Sequence, residues 1–161
     1  MASKSLITVC LLMSMSFGLK AQELAPDFSA ADLQTGEQIN LSAYRGRVVF
    51  LDFWASWCLP CLVSLPAYQQ LHSTYQSDDW IIIAVNVDED TQDGLDFLEE
   101  IAVTYPMIAD TEGDIGIPYG IRSLPVSFLI DQQGMIVRSY RGYEAGDDER
   151  IFADIQELLI D

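Results

Sequence analysis

The sequence predicts an α/β domain built on a central mixed β-sheet with helices on both faces. Three observations lead there. Two apolar runs rich in β-branched and aromatic residues, 47–54 and 80–87, read as strands buried on both sides, the habit of strands paired in parallel. A helical pattern follows each of them. Two further runs, 126–130 and 135–140, meet at Asp131-Gln132-Gln133-Gly134 and read as an antiparallel hairpin. Parallel and antiparallel pairing together make the sheet mixed.

Taken in order, the chain begins with Lys4 and an apolar stretch from Leu6 to Leu19, then Lys20-Ala21. A short basic start, an apolar middle and a small residue at the cut describe a secretory signal peptide over residues 1–21. The stretch is shorter than the ~20 apolar residues that span a bilayer. An uncleaved membrane anchor is the alternative. Cys10 lies inside this segment and is expected to leave with it. Residues 22–161 then form one domain, long enough for a full core.

Residues 28–32 and 38–41 flank Gln34-Thr35-Gly36-Glu37 and predict an N-terminal β-hairpin. Ser42 is placed to cap a short helical turn before Arg45-Gly46. After the strand at 47–54, apolar spacing predicts a helix over 59–75, which Pro66 should bend. The strand at 80–87 runs into an acidic, solvated turn at 88–93 and a helix over 94–103. A short strand follows at 106–109. The last helix, 147–160, sets Ile151, Ile155, Leu158 and Leu159 on one face.

Charge narrows the function classes. The chain carries 25 acidic and 8 basic residues, for a net charge of −17. Without residues 1–21 it loses both lysines, leaving six arginines and a net charge of −19. Such a surface repels polyanions, so nucleic acid is excluded as a partner.

The chemistry gathers at Trp57-Cys58-Leu59-Pro60-Cys61, at the junction of the first long strand and the first helix. Unpaired N–H groups and the helix dipole favour an anion there, and the thiolate is the reactive form of cysteine. Four readings of the Cys pair compete. Zinc would need two more ligands, and the domain offers only His72 beyond the pair. Covalent haem needs His after the second Cys, where Leu62 stands. A purely structural disulfide would close too short a loop to restrain the unfolded chain. Redox exchange remains, with Cys58 attacking a substrate and Cys61 resolving the mixed disulfide. Pro60 stiffens the loop at a helical position whose N–H would be unused.

Resolution needs a proton acceptor near the second sulfur. Asp52, inside the apolar strand, is the candidate, because burial raises a carboxyl pKa toward neutrality. Leu124-Pro125 precedes the strand at 126–130. Trp57 is expected to wall the site and Trp54 either to wall it or to pack in the core. His72 is expected to pack quietly, and the 88–90 acidic stretch lacks the spaced ligands of a calcium loop.

Phe53-Trp54-Ala55-Ser56-Trp57-Cys58-Leu59-Pro60-Cys61 resembles the thioredoxin active-site segment, with Asp52 at the place of its buried acid. Ser123-Leu124-Pro125-Val126-Ser127-Phe128-Leu129-Ile130 is similar to the segment that carries that family's cis-proline. The lead-in Ala25-Pro26-Asp27-Phe28 and a central helix–strand insert between Val87 and Ile115 resemble the exported TlpA/ResA-like branch of the redoxin, AhpC/TSA-like proteins. The resemblance covers residues 24–160. It implies a thioredoxin-like fold and an exported, periplasmic thiol–disulfide oxidoreductase that works without a cofactor or metal as a monomer. It also implies a reductant acting on disulfide-bearing exported proteins and recharged by a membrane thiol–disulfide electron donor. Membrane contact of its own arises only if residues 1–21 are retained. Pro125 would stand in cis beside Cys58, and the backbone of Leu124 would pair with an extended substrate. Trp57, Leu59 and Pro60 would complete that docking surface.

ResA-like members with a haem-maturation role often carry Glu three residues after the second Cys, and this chain has Ser64. The resemblance therefore implies acid supply through Asp52 and leaves a role in cytochrome c maturation open. Two rivals stay in view. A thiol peroxidase would want Thr three residues before the nucleophile, where Ala55 stands. A metallochaperone would use the two thiols as ligands.

Overall fold

A computed structural model describes residues 22–75 and 77–160. The signal-peptide reading of residues 1–21, including Cys10, lies outside the described residues. Eight strands and three α-helices follow one another: β1 (Glu23–Leu24), β2 (Ser29–Ala31), β3 (Gln38–Asn40), a 3-10 helix (Leu41–Tyr44), β4 (Val48–Trp54), α1 (Leu59–Thr74), β5 (Trp80–Asn86), α2 (Thr91–Glu100), β6 (Met107–Ala109), β7 (Val126–Ile130), β8 (Met135–Arg141) and α3 (Asp147–Ile160).

The main sheet has the order β1-β8-β7-β4-β5-β6. β4 pairs in parallel with β5 and antiparallel with β7, so it is central and mixed in its bonding. Every residue of β4 and β5 is buried, which explains why both runs lack polar alternation. The 3.3 Å strand repeat sends alternate side chains to opposite faces. Val48, Phe50 and Trp54 pack with Cys58, Cys61, Leu65 and Tyr68 of the α1 region and with Ile151 and Ile155 of α3. Val49, Leu51 and Phe53 pack on the other side with Ile39, Leu41, Ile115 and Tyr119. All three α-helices contribute to the first layer, where Phe97, Leu98 and Ile101 represent α2 and its end. The second layer takes its cover from the hairpin β2–β3, the 3-10 helix and the turn-rich segment around Ile115–Tyr119.

Local differences from the expectations have local causes. Asp90 accepts from the Gln92 N–H at 2.9 Å and caps α2, so that helix starts at Thr91 rather than Gly94. Ile101 is extended and ends it early. Gly94 lies inside the helix because a Cβ there would come within 2.8 Å of the Asn86 amide. Ser42 does not cap the 3-10 helix. Asn40 occupies that position, and Asp27 accepts the Ser42 N–H at 2.9 Å. α1 runs from Leu59 to Thr74 with Pro66 inside it. β1, two exposed residues on the edge of β8, is too short to leave a periodic signal. The hairpin β2–β3 forms its own small sheet and touches the main one through an Asp32–Ile108 bridge.

Candidate active site

Four residues, Ala55 to Cys58, carry the chain from the end of β4 to the start of α1. The Cys58 N–H donates to the Ala55 carbonyl at 3.1 Å, closing a tight turn. Cys58 is the extended N-cap of α1, and its carbonyl accepts from the N–H groups of Cys61 and Leu62 at 2.9 and 3.3 Å. Leu59 and Pro60 occupy the first helical positions, where Pro sacrifices no hydrogen bond. Cys58 and Cys61 are joined as a disulfide. Cys58 is 4% exposed and Cys61 is fully buried, so Cys58 is the cysteine nearer solvent. Around it stand two apolar side chains turned outward, Trp57 at 69% and Leu59 at 75% exposure. Val63, one turn along α1, is exposed as well. An apolar rim around a nearly buried disulfide is unusual on a surface this acidic, because exposed large apolar groups cluster where something docks.

Asp52 projects from β4 to the face that carries Phe50 and Trp54, the layer that also holds both cysteines. It is fully buried. Its Oδ1 accepts from the Ser127 hydroxyl at 2.6 Å, while Oδ2 has no partner. Ser127 is its register partner on β7. Burial outweighs that one hydrogen bond and pushes the Asp52 carboxyl from 3.8 up to about 7. The same desolvation pushes the neighbouring Tyr68 and Tyr105 hydroxyls upward, with the Asp52 charge adding to it.

The Leu124–Pro125 peptide is cis. Phe53 pairs with Val126 across β4 and β7, so the next residue, Pro125, lies at the sheet end from which the cysteine turn emerges. Pro125 is buried and Leu124 half-buried.

The chain belongs to the AhpC/TSA family. The model of that family matches residues 21–139. The chain is similar to thiol-disulfide oxidoreductase ResA of Geobacillus thermodenitrificans, 37% identical over 124 residues, which cover 77% of this chain and 71% of that one. The ResA of Halalkalibacterium halodurans is 34% identical over 87% of this chain and 77% of its own. Among solved structures, a candidate DsbE-type thiol:disulfide interchange protein from Chlorobium tepidum superposes with a TM-score of 0.80 at 36% identity, covering 86% of this chain and 96% of that one. The fold is thioredoxin-like, and the protein is an enzyme of dithiol–disulfide exchange carrying a Cys58-Leu59-Pro60-Cys61 motif.

Other residues of the oxidoreductase stand where their surroundings dictate. Trp54 is fully buried against Phe97, with its indole N–H unpartnered. His72 packs edge-on against Trp80 and Tyr105, and burial lowers its pKa. Ser64 is buried, its hydroxyl donating to the Cys61 carbonyl at 3.3 Å. Among the described residues no group of three or more His, Cys, Asp or Glu side chains could hold a metal ion. No helix among them is long and apolar enough to cross a membrane.

One expectation for the surroundings of the site fails. The 88–90 stretch does not form a uniformly solvated turn, because Asp88 is 1% exposed. Its carboxylate accepts from the Ser56 N–H at 3.0 Å, the Ser56 hydroxyl at 3.1 Å and the Asn86 amide at 2.7 Å. Nothing in Asp88-Glu89-Asp90 separates the first acid from the others by sequence. Ser127 was findable: it is the lone polar residue in the apolar run 126–130, as Asp52 is in its own.

Proposed function

We propose that this oxidoreductase is an exported reductant of protein disulfides, with Cys58 as nucleophile, Cys61 as resolving thiol and Asp52 as proton acceptor. The unequal burial of the two cysteines beneath an outward apolar rim carries the reading. In the reduced enzyme the Cys58 thiolate attacks one sulfur of a substrate disulfide. A mixed disulfide forms and one substrate thiolate leaves. The Cys61 thiol then gives its proton to the Asp52 carboxylate and attacks the Cys58 sulfur. The second substrate thiolate leaves, two electrons have passed to the substrate, and the Cys58–Cys61 disulfide remains. A carboxyl near 7 both accepts and returns a proton at neutral pH.

Trp57, Leu59, Pro60, Leu124 and Pro125 supply the docking surface, the exposed side chains through apolar contact and Leu124 through its backbone. Export rests on the character of residues 1–21, and an oxidising compartment is where substrate disulfides persist. A membrane dithiol donor recharges the enzyme there. The test is trapping. Cys61→Ser should hold partners as mixed disulfides through Cys58, and Cys58→Ser should hold none. Equal trapping by the two variants refutes the assigned roles. The potential separates directions, near about −270 mV for a reductant and about −120 mV for an oxidant.

A further inference from the structure

Beside the cysteine turn lies a second buried carboxylate that the exchange chemistry does not use. Asp88 belongs to the loop between β5 and α2. Both its oxygens accept from N–H donors: Ser56 N–H reaches each of them, at 3.2 and 3.0 Å, and the Asn86 amide reaches Oδ2. Asn86 in turn accepts the Asp88 N–H at 3.3 Å. The Val87 N–H, between them, donates to the Trp54 carbonyl at 2.9 Å. The β5 end thus grips the chain on both sides of Ala55. Gly94 of the inserted helix completes the arrangement, since only a residue without Cβ leaves room for the Asn86 amide. Among the described residues no Arg or His pairs with Asp88.

We propose that Asp88 is a positioning residue for Cys58: seated by Asn86 beneath the inserted helix, it fixes the cysteine turn and keeps an unpaired negative charge beside the nucleophile. The proposal rests on Cys58 and Cys61 being the exchanging pair. Ser56 is the second residue of the turn that Cys58 closes onto Ala55, so the carboxylate stands within roughly 10 Å of Cys58 by chain reach. A negative charge there opposes the helix N-terminus, whose first turn holds no acidic side chain. The other buried carboxylate in this region, Asp52, belongs to β4 itself. Destabilising the Cys58 thiolate destabilises the reduced form, which makes the couple a stronger reductant.

The test is the equilibrium constant of the full chain against glutathione, with thermal midpoints measured alongside. One charge at about 10 Å in a medium of effective dielectric about 20 changes an ionisation equilibrium by about tenfold. Measured at a pH where Cys58 is ionised, Asp88→Asn should therefore shift the constant about tenfold toward the reduced enzyme, close to 30 mV. Cys58 should also alkylate faster at pH 7. Asp88→Ser, neutral and smaller, should shift it the same way, so either soluble variant decides. Ser56→Ala keeps the charge and the N–H contact and should leave the constant in place. An Asp88 that is only structural would lower the midpoint and leave the constant and alkylation rate unmoved, and that result overturns the proposal. A wild-type value on the oxidising side would instead overturn the reductant reading, while leaving the difference between Asp88→Asn and wild type to stand or fall separately.

Discussion

Replacing Asp52 by Asn offers a pH-resolved check on the proposed buried proton acceptor. The folded carboxyl titrates near 7 and the ordinary value is 3.8, so the folded chain holds a proton that the unfolded chain has released. Stability is full below 3.8 and falls as pH rises, because the folded state binds more protons across that window. Each pH unit removes about 1.4 kcal/mol, which accumulates to about 4 kcal/mol by pH 7 and then levels off. Asn keeps an acceptor for the Ser127 hydroxyl but places an amide N–H₂ at Oδ2, which has no partner. An unsatisfied buried amide costs about 1–3 kcal/mol at every pH. Asp52→Asn should therefore be less stable than wild type at pH 4 and more stable by about 1–3 kcal/mol at pH 8. Denaturant unfolding of both oxidised proteins from pH 4 to 8 reads the difference, and titrations common to the two cancel. A stability difference that stays flat over this range would refute the buried, raised carboxyl. Exchange activity of the same variant should fall most near neutral pH, where proton acceptance by Asp52 is needed.

Three further outcomes follow from named contacts. Trp57→Ala removes the broad exposed ring beside Cys58 and should raise KM for protein disulfides severalfold while leaving folding stability within about 0.5 kcal/mol; insulin reduction kinetics and a melting curve check both. Gly134→Ala should destabilise by more than about 1 kcal/mol, because Gly134 sits at φ +85° and a Cβ would run into the Arg45 guanidinium; denaturant midpoints read it. Ile155→Ala empties a fully buried position between α3 and the sheet and should cost about 2–5 kcal/mol, with the unfolding slope unchanged if the core stays intact.

The order of elements was legible because the strongest signals are nonlocal in origin but local in appearance. β4 and β5 are apolar along their whole length since both faces are covered, and that shows in the letters alone. The α2 boundary was not legible. Its start depends on which of several acids caps it, and Asp90 does so while Asp88 turns inward. Gly94 looks like a helix breaker by propensity, yet its place is set by the Asn86 amide on a different element. The site divides the same way. Cys58, Cys61, Asp52 and Pro125 each break a local pattern and so can be picked out. Asp88 stands in a run of acids and breaks nothing; only the packing of the cysteine turn against the end of β5 singles it out.

The two buried carboxylates near Cys58 differ in the number of donors they receive, and that difference suits each to the task proposed for it. Hydrogen bonds to a carboxylate favour its charged form. Asp52 receives one donor and keeps an oxygen unpartnered, so little opposes the desolvation that carries it to about 7, and proton uptake disrupts no hydrogen bond at that oxygen. Asp88 receives donors from Ser56 and Asn86 on both oxygens, so both of its oxygens are committed to the contacts that define the turn. A mobile proton and a fixed backbone are competing demands on one carboxylate, since each added donor that steadies the geometry weakens the base. Placing the two functions on β4 and on the β5–α2 loop removes the conflict. Grafting a donor onto the Asp52 side should therefore cost activity without loosening the turn, whereas losing a donor at Asp88 should loosen the turn and leave the Asp52 titration in place.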